Sequence, residues 1–336
     1  MTAEAGAASP LAVTYVLPLR TDVPLGGADV AYVRWLATSI DDVVVVDGSP
    51  HDVFDAHVEA FGDVARVTRP DVAFRSRNGK VAGVLTGIAL AEHDAVVIAD
   101  DDIRYPVDAL RATVARLEAA DAVMPQNVYR PLPWHARWDT GRILLHRAFG
   151  ADMGGTVAVN RPALVRVGGY DGDVLFENLE LLRTIRAAGG VVDHARDVYV
   201  RRVPPNGRHF AGQRVRQAYD EFARPWLLAV WLAIVPTVAW LVRRRGRRAW
   251  LDLWIGALAS IALAEFGRRR DGGSRVFARG AALWAPPWIA ERAVCAWLAL
   301  GARLRGGVRY RGDRLARAAS STRTLRRALA TAEVAT

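Results

Sequence analysis

The sequence contains very little lysine and cysteine. Of its 336 residues 45 are basic, yet Lys80 is the only lysine, and Cys295 is the only cysteine. A single cysteine cannot form an internal disulfide, which excludes a disulfide-stapled fold. The 29 glycines show no G-x-y repeat, which excludes a collagen-like chain. Hydrophobic residues make up 51 % of the sequence, too large a share for a wholly disordered protein.

Positive charge is concentrated in the last third of the chain. Residues 1–225 contain 25 basic and 29 acidic side chains, a net charge of −4, whereas residues 226–336 contain 20 basic and 6 acidic side chains, a net charge of +14. In this last third, arginine clusters bracket runs rich in Trp, Leu and Ala. That pattern favours an anionic membrane surface over nucleic acid as the partner, and we expect no nucleic-acid binding.

Three apolar runs lie in this basic region, at residues 226–242, 249–266 and 281–300. A membrane-spanning helix needs about 20 apolar residues, and these runs are short or are interrupted by proline or acidic residues. We therefore expect a membrane-associated helical region over residues 223–315, with segments that are re-entrant or lie in the interface. Two or three true crossings, or a buried soluble helical subdomain, are the alternatives.

The two ends of the chain carry little pattern. Residues 1–10 are rich in Ala, Gly and Ser and are expected to be disordered. No basic residue precedes the first apolar run, so the N-terminus does not read as a signal peptide. Residues 316–336 are expected to form a basic tail.

Strands and helices alternate along the first part of the chain. The predicted strands are residues 11–17, 41–49, 64–68, 94–99, 121–124, 156–160 and 191–203. The predicted helices are residues 28–40, 52–61, 79–91, 106–120 and 177–188, with another beginning at Pro162. Residues 207–222 are polar and rich in Arg and are expected to form a helix or a loop. This alternation predicts an α/β fold with a mostly parallel sheet and flanking helices.

A cluster of carboxylates is the strongest chemical signal. The apolar run 94–99 ends directly in Asp100-Asp101-Asp102, and a run of four valines ends in Asp47. Ligands of parallel sheets bind at the carboxyl ends of the strands. Adjacent carboxylates repel each other unless a cation or hydrogen-bond donors compensate, and a divalent cation that also holds substrate phosphates is the economical partner. A solvated strand-end turn is the alternative.

Six segments, in order, resemble the inverting glycosyltransferases of family 2 over roughly residues 11–222. They are VTYVLPLR, VVVVDGS, VVIADDDIRYP, GTVAV followed by Arg161, GGY followed by Glu177-Asn178, and Gln213 to Gln217. The isoleucine after Asp102, together with the upstream segment NGKV, is closest to the ceramide-glucosyltransferase-like branch.

The resemblance implies a GT-A fold, which is a nucleotide-sugar-binding sheet, and a role for each matching residue. Asp47 would bind the nucleotide base, and Asp100 and Asp102 would hold a Mg²⁺ or Mn²⁺. Asp100 and Asp101 would also contact the donor, and Lys80 would contact a phosphate or support the nucleotide loop. Gln213 and Arg216 would bind the leaving diphosphate.

Two positions depart from the family pattern. Asn178 stands where the family has the aspartate that acts as general base, and an amide cannot accept a proton at neutral pH. Glu177 is the expected replacement, unless it only caps the following helix; Glu180, or Asp171 and Asp173, are the other candidates. Gln217 stands in place of a tryptophan.

These observations predict a membrane-associated inverting glycosyltransferase. It would move a hexose from a nucleotide-sugar, with UDP favoured, to a lipid-linked or membrane-proximal acceptor, and its catalytic domain would face the cytoplasm at the cell membrane. A nucleotide-sugar-binding protein that has lost its base is one alternative. A nucleotidyltransferase is another, although residues 18–27 lack the Gly-rich loop bearing Arg and Lys that this class usually needs.

Overall fold

Valine-rich runs form the centre of the largest sheet. Val43 to Val46 and Val96 to Ile98 are at most 4 % exposed, because helices cover both faces of the sheet. The computed structural model describes residues 10–310 and 313–334. The predicted disorder of the N-terminus therefore falls almost entirely outside the described residues.

The strands and helices follow one another in the predicted alternation. The strands are β1 (Leu11–Leu19), β2 (Ile40–Asp47), β3 (Arg66–Thr68), β4 (Ala95–Ala99), β5 (Ile103–Arg104), β6 (Ala122–Val123), β7 (Gln126–Tyr129), β8 (Thr156–Asn160), β9 (Val192–Asp193), β10 (Tyr199–Arg202), β11 (Val308–Tyr310) and β12 (Asp313–Leu315). The helices are α1 (Gly27–Ser39), α2 (His51–Phe61), α3 (Gly79–Leu90), α4 (Val107–Ala115), α5 (Trp134–Phe149), α6 (Arg161–Arg166), α7 (Glu177–Ala187), α8 (Gly207–Tyr219), α9 (Pro225–Arg245), α10 (Ala249–Arg269), α11 (Ala285–Leu304) and α12 (Thr322–Val334).

The main sheet has the strand order β3-β2-β1-β4-β8-β6-β9. Strands β3, β2, β1 and β4 are parallel neighbours, and β8 alone runs against the strands beside it. One face packs against α1, α2 and α4, and the other against α3, α6 and α7. The predicted α/β fold class is confirmed.

Three details differ from the prediction. Residues 191–203 form two short strands in different sheets, β9 and β10, because a turn at residues 194–198 separates them. Strand β10 lies between β5 and β7 in a second sheet that the sequence did not predict. Helix α5 was also not predicted, because its inward face carries polar side chains such as His135, Asp139 and Arg147.

The C-terminal helices differ in how they pack on the α/β domain. Helices α10 and α11 contact α5, and α11 also contacts α8. Helices α9 and α10 are joined by a short turn at residues 246–248 and leave large apolar side chains exposed. The stretch Pro225–Arg275 is long and apolar enough to cross a membrane, and 6 % of its most apolar window is buried. Length and composition alone are weak evidence for a membrane.

The Arg147 guanidinium joins the C-terminal helices to the α/β domain. Arg147 lies on α5, is fully buried, and donates to the Gln126 side chain at 3.0 Å and to the Tyr199 hydroxyl at 2.9 Å. It also donates to the backbone carbonyls of Arg270 at 2.6 Å and Gly267 at 3.2 Å. Because α10 ends at these carbonyls, the guanidinium fixes the base of the α9–α10 pair on the domain.

We expect Arg147→Leu to lower the free energy of unfolding by about 3–5 kcal/mol, because buried acceptors lose a charged donor. Chemical unfolding in mild detergent measures the change. Arg111→Leu is the matched control, since Arg111 is exposed on α4 and its loss should cost less than about 0.5 kcal/mol. Equal effects of the two substitutions would contradict this role for Arg147.

Candidate active site

The three acids form a tight turn at the carboxyl end of β4. The Asp100 N–H donates to the Gly155 carbonyl at 2.8 Å, and the Ile103 N–H donates to the Asp100 carbonyl at 3.1 Å, which leads the chain into β5. A Cβ added at Gly155 would lie 2.6 Å from Asp100 Oδ2, so a glycine is needed beside the carboxylate. Asp101 points outward and is exposed.

Lys80 connects the acids of β4 to α7. Its Nζ lies 2.5 Å from Asp100 Oδ1 and 2.7 Å from Glu177 Oε1. Burial alone would lower the pKa of Lys80, but the Asp100 and Glu177 carboxylates outweigh it and hold the pKa well above its ordinary value. Lys80 is therefore charged and bridges two acids that are 77 positions apart in the chain.

Asn78 is the reason that Lys80 and Glu177 meet. The Asn78 side chain accepts from the Lys80 N–H at 3.2 Å, which caps α3, and donates to the Val174 carbonyl at 3.1 Å. The Asn78 N–H donates to the Gly172 carbonyl at 2.9 Å. These bonds hold the loop before α7 against the first turn of α3.

Arg202 is a site residue that the sequence analysis missed. Its Nε lies 2.8 Å from Asp102 Oδ2 and its Nη2 lies 3.5 Å from Asp100 Oδ2. Arg202 reaches the acids because β10 pairs with β5, where it lies opposite Ile103. The pairing of two short strands about 100 residues apart leaves no local signal in the sequence.

Asp102 is incompletely compensated. Its Oδ1 is buried without a hydrogen-bond partner. Burial raises the pKa of Asp102 to about 6. The Arg202 charge lowers this pKa, and the charges of Asp100 and Asp101 offset part of that lowering. A cation beside Oδ1 would remove this strain.

The residues present fit a divalent cation bound jointly with substrate. Among residues 10–310 and 313–334, no group of three His, Cys, Asp or Glu side chains forms a metal cluster. The orphaned Asp102 Oδ1 and the neighbouring Asp100 supply hard oxygen ligands, and Mg²⁺ commonly takes one or two carboxylates and completes its shell with phosphates and water.

Asp47 lies at the carboxyl end of β2, which β1 separates from β4, and is fully buried. Its Oδ1 accepts from the Ser49 N–H at 2.8 Å, and its Oδ2 accepts from His57 Nδ1 at 2.7 Å. His57 Nε2 in turn accepts from the Leu25 N–H at 2.9 Å. To contact a nucleotide base, Asp47 would have to give up its hydrogen bonds to Ser49 or His57. Base binding by Asp47 therefore stays a prediction.

Asn178, at the position of the family's usual base, donates to the Gly154 carbonyl at 3.0 Å. The base candidates other than Glu177 are held elsewhere. Glu180 is fully buried and accepts from the Ser320 N–H at 2.6 Å. Asp171 pairs with Arg317, and Asp173 accepts from the Arg77 N–H at 3.1 Å. Among these acids, Glu177 is the one that the structure brings to Asp100.

The two predicted α8 residues have different surroundings. Gln213 contacts His209 and accepts from Gln217 at 3.4 Å, both on its own helix. The Arg216 guanidinium carbon lies 5.3 Å from the Tyr310 ring centroid. Burial raises the pKa of the adjacent Asp220 to about 7, against the charges of Arg292 and Arg216.

Part of this site matches a known family. Residues 36–170 match the sequence model of the family described as Glycosyl transferase family 2. The match supports glycosyltransferase family 2. It contains Asp47, Lys80 and the turn Asp100 to Asp102, and it ends before Glu177 and Arg202. The ceramide-glucosyltransferase-like branch is not confirmed. No curated protein matches the chain.

Several solved structures are distantly similar. The mannosyltransferase PcManGT from Pyrobaculum calidifontis, in complex with GDP-Man and Mn²⁺, is 19 % identical, with a TM-score of 0.48 over 86 % of this chain and 87 % of that chain. The M. tuberculosis glucosyl-3-phosphoglycerate synthase is 19 % identical, with a TM-score of 0.40 over 59 % and 73 % of the two chains. Mannosyl-3-phosphoglycerate synthase from Rubrobacter xylanophilus is 17 % identical, with a TM-score of 0.42 over 70 % and 76 %.

We expect Asp102→Asn to stabilise the ligand-free protein at about pH 8. The pKa of Asp102 in the folded state is about 6, above its ordinary value of 3.8. Folding therefore takes up a proton between these values, and wild type loses stability as the pH rises through about 6. The gain, about 3 kcal/mol for a shift of about two pKa units, should shrink towards about pH 4.

Chemical unfolding at the two pH values measures this gain. Asp108→Asn on α4 is the matched control, since that carboxylate is exposed. A stabilisation by Asp102→Asn that does not depend on pH would contradict the assignment.

Proposed function

We propose that the protein is an inverting glycosyltransferase that moves a hexose from a nucleotide-sugar, with UDP favoured, to a lipid-linked or membrane-proximal acceptor. The observation that carries the proposal is the cluster of Asp100 and Asp102 with Lys80 and Arg202 at the carboxyl end of β4. All of these residues except Arg202 lie within the stretch that matches family 2. A donor diphosphate and a cation would balance the charges that this cluster leaves unequal.

The cluster would stabilise the leaving group. As the sugar departs, negative charge builds up on the diphosphate, and fixed positive groups nearby lower the energy of that state. Asp100 and Asp102 would hold a Mg²⁺ or Mn²⁺, which when bound neutralises phosphate charge. Lys80 and Arg202 are partly exposed beside these acids and supply two further positive charges. Arg216 would add a third from α8.

Glu177 would accept the proton of the attacking hydroxyl. Its carboxylate is 15 % exposed and is held by Lys80. An arriving diphosphate competes for Lys80 and frees Glu177 Oε1 for the acceptor. A base on the face of the sugar opposite the leaving group gives displacement with inversion.

The α9–α10 pair would associate with the membrane. Each helix has 21 residues and is thus about 31 Å long, close to the roughly 30 Å of a bilayer core. Trp226, Trp240, Trp250 and Trp254 are each more than half exposed, and tryptophan favours the membrane interface. The catalytic domain would then face the cytoplasm, where nucleotide-sugars are made.

Asn178 favours one alternative, a nucleotide-sugar-binding protein without turnover. Its amide is buried and bonded to Gly154, so it cannot serve as the base. Slow donor hydrolysis without transfer to any acceptor would support that alternative over the transferase.

Thermal unfolding with nucleotide-sugars tests the donor site. We expect one nucleotide class to stabilise wild type by several degrees in the presence of Mn²⁺, with the effect lost in Asp102→Ala. Asp108→Ala, which removes an exposed acid, should behave like wild type. Equal stabilisation of wild type and Asp102→Ala would remove Asp102 from the metal site.

The double substitution Trp250→Ser and Trp254→Ser tests the membrane association. These side chains are 66 % and 65 % exposed, and burying each in lipid contributes about 1–2 kcal/mol. We expect binding to vesicles containing phosphatidylglycerol to fall at least about tenfold, measured by flotation. Trp134→Ser, at an exposed residue on α5, should leave binding unchanged. Unchanged binding of the double variant would contradict a lipid-facing α10.

A further inference from the structure

A cavity of about 330 Å³ opens between the start of α5 and the loop at residues 270–284, which joins α10 to α11. None of its lining residues belongs to the candidate active site. Val128, Leu132 and Thr140 line it from the α/β domain, and Phe277, Leu283 and Trp284 line it from the loop. Cavities of this size hold small ligands.

Three arginines also line the cavity, namely Arg130, Arg137 and Arg279, and no Asp or Glu of the described residues lines it. Arg130 donates to two backbone carbonyls, at 2.9 Å and 2.6 Å, and Arg137 donates to one at 3.1 Å. Arg279 is exposed. No carboxylate in the part of the chain that the structure describes forms an ion pair with any of the three. Their positive charges are therefore uncompensated.

The acids near this cavity are engaged elsewhere. Asp271, the acid of the loop itself, pairs with Arg196 at 3.1 Å. Other arginines of the α/β domain find acids even at the surface, as Arg34 does with Asp63 at 2.8 Å. Guanidinium groups around one cavity repel each other unless an anion lies between them. A phosphate matches guanidinium donors in both charge and geometry.

The rest of the cavity lining is largely apolar. Val128 and Phe277 are buried, whereas Leu283 is 62 % exposed although it is a large apolar side chain. A free inorganic anion would leave Leu283 in water. A ligand that carries both a phosphate and an apolar chain would neutralise the arginines and also cover Leu283, and removing apolar surface from water is favourable.

The place of the cavity indicates where such a ligand comes from. Arg268, in the last turn of α10, donates to the carbonyls of Ser274 at 3.4 Å and Phe277 at 3.5 Å. These bonds hold the loop against the base of the α9–α10 pair. With this pair in contact with a membrane, its base on the domain would lie near the lipid headgroups, where the phosphates of anionic lipids attract arginine.

We propose that Arg130, Arg137 and Arg279 bind the headgroup phosphate of one anionic phospholipid, whose apolar chain covers Leu283. The inference rests on the membrane association of α9 and α10 in the proposed function, and it adds to that association a defined site for a single lipid. This lipid is a bound partner at the base of the helix pair, separate from the donor and the acceptor of the sugar.

Native mass spectrometry of the full chain in mild detergent tests the site with phosphatidylglycerol and phosphatidylcholine of identical acyl chains. We expect the first phosphatidylglycerol to bind about tenfold more tightly than the first phosphatidylcholine, because choline offsets the phosphate charge. Arg279→Gln should abolish this preference, and Arg137→Gln should reduce it. Arg275→Gln is the matched control and should bind like wild type, since Arg275 is exposed in the same loop but lies outside the cavity.

Three outcomes would overturn the site. Equal affinity for the two lipids would show that the negative charge is not recognised. Displacement of phosphatidylglycerol by an equal concentration of inorganic phosphate would make this a site for the free anion. Equal affinities of Arg279→Gln and Arg275→Gln for phosphatidylglycerol would show that the cavity contributes nothing beyond diffuse attraction by positive charge.

Flotation of wild type with vesicles containing phosphatidylglycerol separates this inference from the proposed function. Flotation without any preference for phosphatidylglycerol in the mass spectra would contradict the site and leave the membrane association standing. A single bound phosphatidylglycerol that is lost in Arg279→Gln, without flotation of wild type, would support the site and contradict the membrane association of α9 and α10. Arg279→Gln should keep donor binding, because no residue of the Asp100 cluster lines the cavity.

Discussion

The site depends on charge compensation at the tip of β4. Asp100 and Asp102 follow a fully apolar strand, and their mutual repulsion would be costly without cations nearby. Lys80 and Arg202 supply those cations from α3 and β10, and Lys80 also holds Glu177 on α7. Because each ion pair joins β4 to a different element, the same contacts that neutralise the acids also assemble the walls of the cleft.

The compensation is incomplete, and that is what makes the cleft chemically useful. Asp102 keeps an unpartnered oxygen and a raised pKa. The tip of β4 therefore lacks a cation, which a nucleotide-sugar with its metal would supply.

The sequence predicted the elements whose signal is local. The apolar runs rich in valine predicted β2 and β4, and the aspartates that end these runs predicted where the candidate site lies. It missed Arg202 because β10 is a short strand of mixed polarity whose position is decided by pairing with β5 and β7. It missed α5 because Arg147 and Asp139 are buried there through distant partners. The burial of Asp47 against His57 was equally invisible, since it depends on the loop that follows β1.

Anomalous scattering from a crystal soaked with Mn²⁺ and UDP tests the central claim most directly. The account predicts a manganese peak within coordination distance of the Asp102 carboxylate, with the diphosphate beside Lys80 and Arg202. A peak at another place in the protein, or nucleotide bound away from the tip of β4, would contradict it.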